Sequence, residues 1–225
     1  MINIFVRRLT QGFIFTLPLL SGCSTLLSKQ PIQTTYYSLD SVESKTHADN
    51  ISNTNNTLPT LIINPPKAAA GFDTRHMMYT RMPHQLEYFA RNEWIDTPAH
   101  LLQPLIVSAI HYKQNFITVM SKPNAIKADL RLESEMLRLL QQFDSKPSVV
   151  RFTLRVSIIN NATGKIVALR EFDERVIATS DDPTGGVIAA NQAVKLALDK
   201  LVILSEEAAM NWKQSENMPA TKQSN

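Results

Sequence analysis

The segment from Val150 to Ile158 constrains the fold more than any other. Val150, Phe152, Leu154, Val156 and Ile158 fall on one side of an extended chain, and Arg151, Thr153, Arg155 and Ser157 on the other. A side-chain period of two belongs to a strand with one face buried and one face solvated, not to a helix. Ala128 to Met136 repeats the pattern, with Leu130, Leu132 and Met136 opposed to Asp129, Arg131, Glu133 and Glu135. Asn160-Asn161-Ala162-Thr163-Gly164 then turns the chain back into Lys165 to Ala178, which predicts a hairpin. In that third strand Val167 and Leu169 share a parity that Phe172 and Val176 break. A β-bulge near Arg170–Glu171 would reconcile them.

Upstream, Thr35 to Leu39 and Leu58 to Asn64 read as strands, the second stopped by Pro65-Pro66 because proline cannot donate to a ladder. Arg75 to Arg81 and His84 to Ala90 read as two more, and a further one begins near Phe116. The polar run Ser41 to Thr57 reads as a solvated loop, and the Asn-x-Ser/Thr triplets at Asn50, Asn55 and Asn161 as turns. Thr97-Pro98 opens a helix, with the Thr hydroxyl expected to accept from an orphan N–H and Pro at the first helical position. Leu101, Leu102, Leu105, Ile106, Ala109 and Ile110 form its apolar face, and Pro104 predicts a kink or a late start. Asp181-Asp182-Pro183 caps the longest helix, whose stripe runs through Ala190, Ala193, Val194, Ala197, Leu198, Leu201, Leu204 and Ala208. The fold expected is α+β, a mostly antiparallel or mixed β-sheet with two helices packed on one face.

Cys23 is the only cysteine, and it follows Leu20-Ser21-Gly22. Arg7 and Arg8 precede the uncharged apolar stretch Gly12 to Leu20, which has the roughly 7–15-residue length of an export signal and is too short to cross a bilayer. Leu-Ser-Gly-Cys resembles the bacterial lipobox, which implies a signal peptide over 1–22 and acylation of Cys23 with three chains, palmitate among them. Several chains anchor firmly at about 0.8 kcal/mol per buried CH₂. Ser24 stands where an Asp favours retention at the inner membrane, so the resemblance implies the periplasmic face of the outer membrane. Residues 23–34 then form a lipidated tether of about ten residues beyond the cysteine, spanning at most roughly 35–40 Å. Residues 35–212 form the domain, and the polar residues 213–225 a disordered tail.

Removing the signal takes away two of the 23 basic side chains and none of the 20 acidic ones, leaving a nearly neutral chain. No basic patch marks nucleic acid as a partner. His47, His76, His84, His100 and His111 are scattered, without cysteine partners or metal-binding spacing, so no metal or cofactor site is expected. Gly185-Gly186 lacks the lysine of a phosphate loop and is read as supplying a turn with freedom of φ, and no nucleophile elbow is present. Nothing argues for an enzyme. Met77, Tyr79, Tyr88, Phe89 and Trp94 concentrate large side chains before the first helix, in a manner suited to a core or to an interface.

Tyr36-Tyr37-Ser38-Leu39-Asp40, Glu87-Tyr88-Phe89-Ala90-Arg91-Asn92-Glu93-Trp94-Ile95-Asp96-Thr97-Pro98, Ala128-Asp129-Leu130-Arg131-Leu132 and Gly185-Gly186-Val187-Ile188-Ala189-Ala190-Asn191 together resemble the ABC-type transport auxiliary lipoprotein family, from about Tyr36 to Trp212. Ser38, where the family often has Thr or Val, and the Asn-rich loop after Asp40 depart from its pattern. The resemblance implies a non-catalytic, membrane-anchored periplasmic accessory of an MCE-type (mammalian-cell-entry) system. Such a system combines an MCE-domain protein, a permease and an ATPase, and moves phospholipid or other hydrophobic molecules between membranes. A homo-oligomer stays open at this point. So do two other roles, a periplasmic lipid-binding module and a structural outer-membrane assembly lipoprotein.

Overall fold

A computed structural model describes residues 33–40, 58–111, 116, 118–121 and 127–217. Cys23, His47, Asn50 and Asn55 lie outside these residues, as do the signal-peptide segment, nearly all of the tether and the loop from Ser41 to Thr57. The described residues from Thr34 onward form one compact unit. Among the described residues the order is β1 (Thr35–Tyr37), β2 (Thr60–Ile63), β3 (Lys67–Ala68), β4 (His76–Thr80), β5 (Glu87–Trp94), α1 (Pro98–His111), β6 (Thr118–Met120), β7 (Leu130–Gln142), β8 (Val149–Asn160), β9 (Ile166–Ile177) and α2 (Pro183–Asn217).

The strands form one mixed sheet built around β7. On one side β7 pairs antiparallel with β8, and β8 pairs antiparallel with β9 in the hairpin expected from the turn at Asn160–Gly164. On its other side three short strands lie end to end, all parallel to it: β2 beside Leu130–Leu132, β3 beside Glu135–Met136 and β4 beside Gln141–Gln142. Pro65-Pro66 separates the first two, and pairing resumes at β3, a strand too short to show a period of its own. The β2 end extends to β6, and the β4 end to β5 and then β1.

Both helices cover one face of the sheet, α2 against β8 and β9 and α1 against α2, β6 and β7. The inward side chains of β8 (Val150, Phe152, Leu154, Val156, Ile158) and of β7 (Leu130, Leu132, Met136) are buried in one core with Ala190, Ala193, Val194, Ala197, Leu198 and Leu201 of α2. A half-buried sheet and an amphipathic helix each need such a partner.

Several expectations need correction. The bulge in β9 is at Val167, not at Arg170–Glu171: Ile158 pairs with Ala168 and Ile159 with Ile166, so Val167 is the extra residue. Val167 and Ala168 therefore both reach the core, and Leu169 is left exposed on the outer face. β5 runs to Trp94, because its last residues gain β1 as a parallel neighbour. Pro104 does not delay α1, which is continuous from Pro98. The carbonyl it deprives, that of His100, belongs to an exposed residue that water can serve. Thr97 does not cap α1 with its hydroxyl, which is buried without a hydrogen-bond partner as the chain turns Pro98 and Ala99 into the core. Its own N–H is instead held by Asp96 Oδ1 at 2.7 Å. α2 continues past Trp212 to Asn217 through residues such as Lys213 and Gln214 that favour helix.

Candidate functional site

Three of the four sequence blocks meet where the described chain begins. β1 pairs residue for residue with Asn92–Trp94, and Ile95 N–H continues the ladder to Tyr37 O at 2.7 Å. On the other side the segment is held by the first turns of α2. Tyr37 Oη and Thr184 Oγ1 share a hydrogen bond of 3.2 Å. Asn191 Oδ1 accepts from Asp40 N–H at 2.7 Å, while its Nδ2 donates to Ser38 O at 3.3 Å and to Val187 O at 3.0 Å. One amide thus serves backbone groups that the short strand leaves over. Leu39 is buried between these attachments. The fourth block, Ala128–Leu132, lies at the far end of β7, where Asp129 Oδ2 accepts from Thr60 N–H and Oγ1 at 2.8 and 2.7 Å. It holds β2 in place and takes no part in the clamp.

The start of α2 is built for close approach. Asp182 Oδ1 accepts Gly185 N–H at 2.8 Å as the helix cap, and Asp181 Oδ1 accepts Ser148 N–H at 2.6 Å. Those backbone donors hold both carboxyls below the usual carboxylate range, with Ser180 adding a side-chain bond at Asp182. Gly185 and Gly186 do not supply positive φ, which among the described glycines is found at Gly71 and Gly164. Both are helical, and their need is steric. A Cβ on Gly185 would meet the backbone O of Ser180 and lie 2.5 Å from its N, and one on Gly186 would meet the Gln141 amide. Gln141 is itself buried and donates to Ser148 Oγ at 2.8 Å.

The outer face of the sheet, away from the helices, has two unlike halves. Over β7–β9 it is a ladder of matched charges: Arg151 to Asp173 at 2.7 and 2.9 Å, Arg155 to Glu171 at 3.1 Å and to Glu135 at 3.4 Å, and Arg131 to Glu133 at 3.1 Å. The Arg151 guanidinium holds the Asp173 carboxyl below the usual range, helped by Thr153. Over β1, β5 and β4 the face is aromatic. Tyr88 stacks on His76 with ring centroids 4.3 Å apart, and Arg75 lies 5.3 Å above the ring of Tyr36. Glu93 sits between them, 3.7 Å from His76 and 4.0 Å from Arg75. Tyr36 and Tyr88 are each 54% exposed although their rings are held.

The large residues noted in the sequence therefore divide. Met77, Tyr79 and Trp94 are core, Phe89 is half-buried against Tyr79, and Tyr88 faces solvent. Burial, with Glu87 accepting the phenol at 2.9 Å, pushes the Tyr79 hydroxyl above its ordinary pKa. The described histidines stay apart: His84 is in a turn with φ of 66°, His100 is 3.5 Å from Asp96, and His111 ends α1. Asn161 secures its turn by donating to Ala128 O and accepting from Arg131. The crevice that reaches the core, lined by Met77, Phe89, Trp94, Leu139, Val150 and Ala190, has room for about one water, at about 20 Å³. The sequence reading missed the role of Asn191, whose only local cue is a polar residue on the buried side of α2. It missed too the pairing of buried Glu174 with Lys200 at 2.5 Å.

The model of the family described as ABC-type transport auxiliary lipoprotein component matches residues 37–202. Among solved structures, protein XCC0632 from Xanthomonas campestris, of family DUF330, is similar at 18% identity and a TM-score of 0.63, over 69% of this chain and 88% of that one. A second crystal structure, of an uncharacterized protein, is 13% identical with a TM-score of 0.60, over 76% of this chain and 97% of its own. At these identities the likeness is one of fold. No curated protein matches the sequence.

Proposed function

The chain belongs to the ABC-type transport auxiliary lipoproteins, and we infer that it is the non-catalytic, periplasm-facing accessory of an MCE-type system that moves phospholipid or other hydrophobic molecules between membranes. In this reading Cys23 carries the acyl anchor at the outer membrane, residues 24–34 are the tether, and the domain docks on the MCE-domain protein that works with the permease and ATPase. The family match along residues 37–202 carries the accessory role.

The aromatic half of the outer face supports docking. Tyrosine and arginine are enriched at interface cores, and a ring already held in place loses little freedom on binding. This patch sits on β1, the strand that continues from the tether, so an anchored chain would present it at a limited distance from the membrane. The crevice that reaches the core, at about 20 Å³, holds no acyl chain, so the alternative of a lipid-binding module would rest on the open groove of about 490 Å³ along α1 at Gln103, Pro104, Val107, Ser108 and His111.

The test is association of the purified lipoprotein with the periplasmic part of the MCE-domain protein. Tyr36→Ala with Tyr88→Ala should weaken it by at least about tenfold, the scale of interface hot spots, with the melting temperature nearly unchanged. Absence of binding by the wild-type chain would refute the partnership. Unaltered binding by the double variant would move the docking surface elsewhere.

A further inference from the structure

We propose that the free edge of β9 is an interface between two copies of this chain, which pair antiparallel about a two-fold axis at Asp173. Among the described residues β9 pairs with β8 alone, and from Ala168 to Ile177 its register runs without a shift. A long regular edge is a template for another strand unless it is blocked. β9 contains no proline and no lysine, and its bulge is confined to Val167 near the start. Its one buried inward-facing charge, Glu174, is already neutralised by Lys200.

The outward side chains of β9 are complementary to themselves when reversed. Leu169, Glu171, Asp173, Arg175 and Ile177 share one parity. Pairing two such strands about Asp173 sets Leu169 against Ile177 and Glu171 against Arg175, twice each by symmetry. Leu169 and Ile177 are 58% and 64% exposed, a high value for large aliphatic side chains on a strand.

Arg175 is the outward-facing base on this edge that a second copy would engage. It lies directly across from Arg151 on β8, and among the described residues it makes no ion pair within 4 Å, although its charge also helps to hold the Asp173 carboxyl below the usual range. Glu171 of the second copy would supply an acid to pair with it. The row Glu135, Arg155, Glu171 already alternates in sign across β7, β8 and β9, and Arg175 of the second copy extends the alternation by one strand. The two Asp173 carboxylates at the axis face each other as like charges, a cost limited because each is already held by Nε and Nη2 of Arg151 and by Thr153.

The test uses the full chain in detergent, with the wild type and its Cys23 as control. Residues facing one another across an antiparallel pair have Cα atoms about 4.5–5.5 Å apart, within reach of a disulfide. Asp173→Cys should therefore form a covalent dimer on mild oxidation, and Leu169→Cys, far from its own copy, should not. Independently, Arg175→Glu and Glu171→Arg should each weaken self-association by about tenfold, measured by sedimentation. An equimolar mixture of the two variants should recover it, because every facing pair is again acid against base. A wild-type chain that remains monomeric, no recovery on mixing, or equal cross-linking at positions 169 and 173 would overturn the proposal. None of these readouts involves a transport partner.

Discussion

Replacing Gly186 by alanine adds one methyl group where the structure has no room for it. The new Cβ would meet the Gln141 amide oxygen and lie 2.9 Å from its Cδ. Gln141 is the far end of a flexible side chain, yet it is 3% exposed and its Nε2 is engaged by Ser148 Oγ at 2.8 Å and by Asp182 O at 3.3 Å. Overpacking a filled site costs about 1–3 kcal/mol, and displacing the amide forfeits roughly one net hydrogen bond, about 1 kcal/mol. Alanine's better helix propensity returns up to about 1 kcal/mol. The net expectation is a loss of about 1–3 kcal/mol, or about 2–12 °C in melting temperature for a chain of this size. In a Gln141→Ala background the obstruction is gone, and the same substitution should be neutral or stabilising by up to about 1 kcal/mol. The coupling of about 2 kcal/mol lies within the range for residues in contact. Four proteins unfolded by denaturant and followed by circular dichroism complete the cycle. If Gly186→Ala melts at or above the wild type, or loses the same stability in both backgrounds, the steric account is wrong.

Phe152→Asp buries an unpaired carboxylate in a fully enclosed site and should cost at least about 4 kcal/mol, whereas Arg151→Asp on the outer face should cost about 1–2 kcal/mol; comparable melting temperatures would invert the strand's faces. The carboxyls of Asp173, Asp181 and Asp182 are held below their ordinary value by Arg151, by Ser148 N–H and by Gly185 N–H respectively. Their stabilisation is thus complete above an unfolded pKa of about 3.9 and is lost as pH falls through the lower folded values; denaturation curves between neutral pH and about pH 3 should show it, and Asp181→Asn with Asp182→Asn should flatten that acid limb. Asn191→Ala removes the amide that holds Ser38 and Asp40, and amide exchange at residues 35–40 should rise by about tenfold, the equivalent of roughly one to two hydrogen bonds, while the centre of β8 stays protected. Cys23→Ser should abolish incorporation of a fatty-acid analogue and leave an uncleaved precursor, because a hydroxyl is a poor substitute for the thiolate; equal label on both proteins would exclude this cysteine as the acylation site.

Much of the candidate site was out of reach of sequence reasoning, and the reason is distance along the chain. Tyr36 is set beside Glu93 only by the pairing of β1 with β5, and Arg75, His76 and Tyr88 join them through β4. Each residue alone is an ordinary surface side chain. The aromatic run before α1 was visible, but its split between core and surface followed from the register of a strand that the sequence ends too early, at Ala90.

Local pattern alone determined the alternating faces of β7 and β8, the β8–β9 hairpin with its turn at Gly164, the Asp182 cap and the buried stripe of α2. In each of these the deciding interaction spans a few residues or repeats with the period of the element itself. Tertiary structure decided the rest. The bulge at Val167 rather than Arg170–Glu171 was set by where β9 meets β8, since a parity break can be absorbed at any of several residues until a partner strand selects one. The glycines at 185 and 186 are required by Ser180 and Gln141, one beside them in sequence and one a strand away, and no property of the glycines announces a steric need. The clamp on the first strand depends on Asn191, and the tandem docking of β2, β3 and β4 along one side of β7 depends on that strand's length. These are contacts between surfaces that exist only once the sheet and helices have formed.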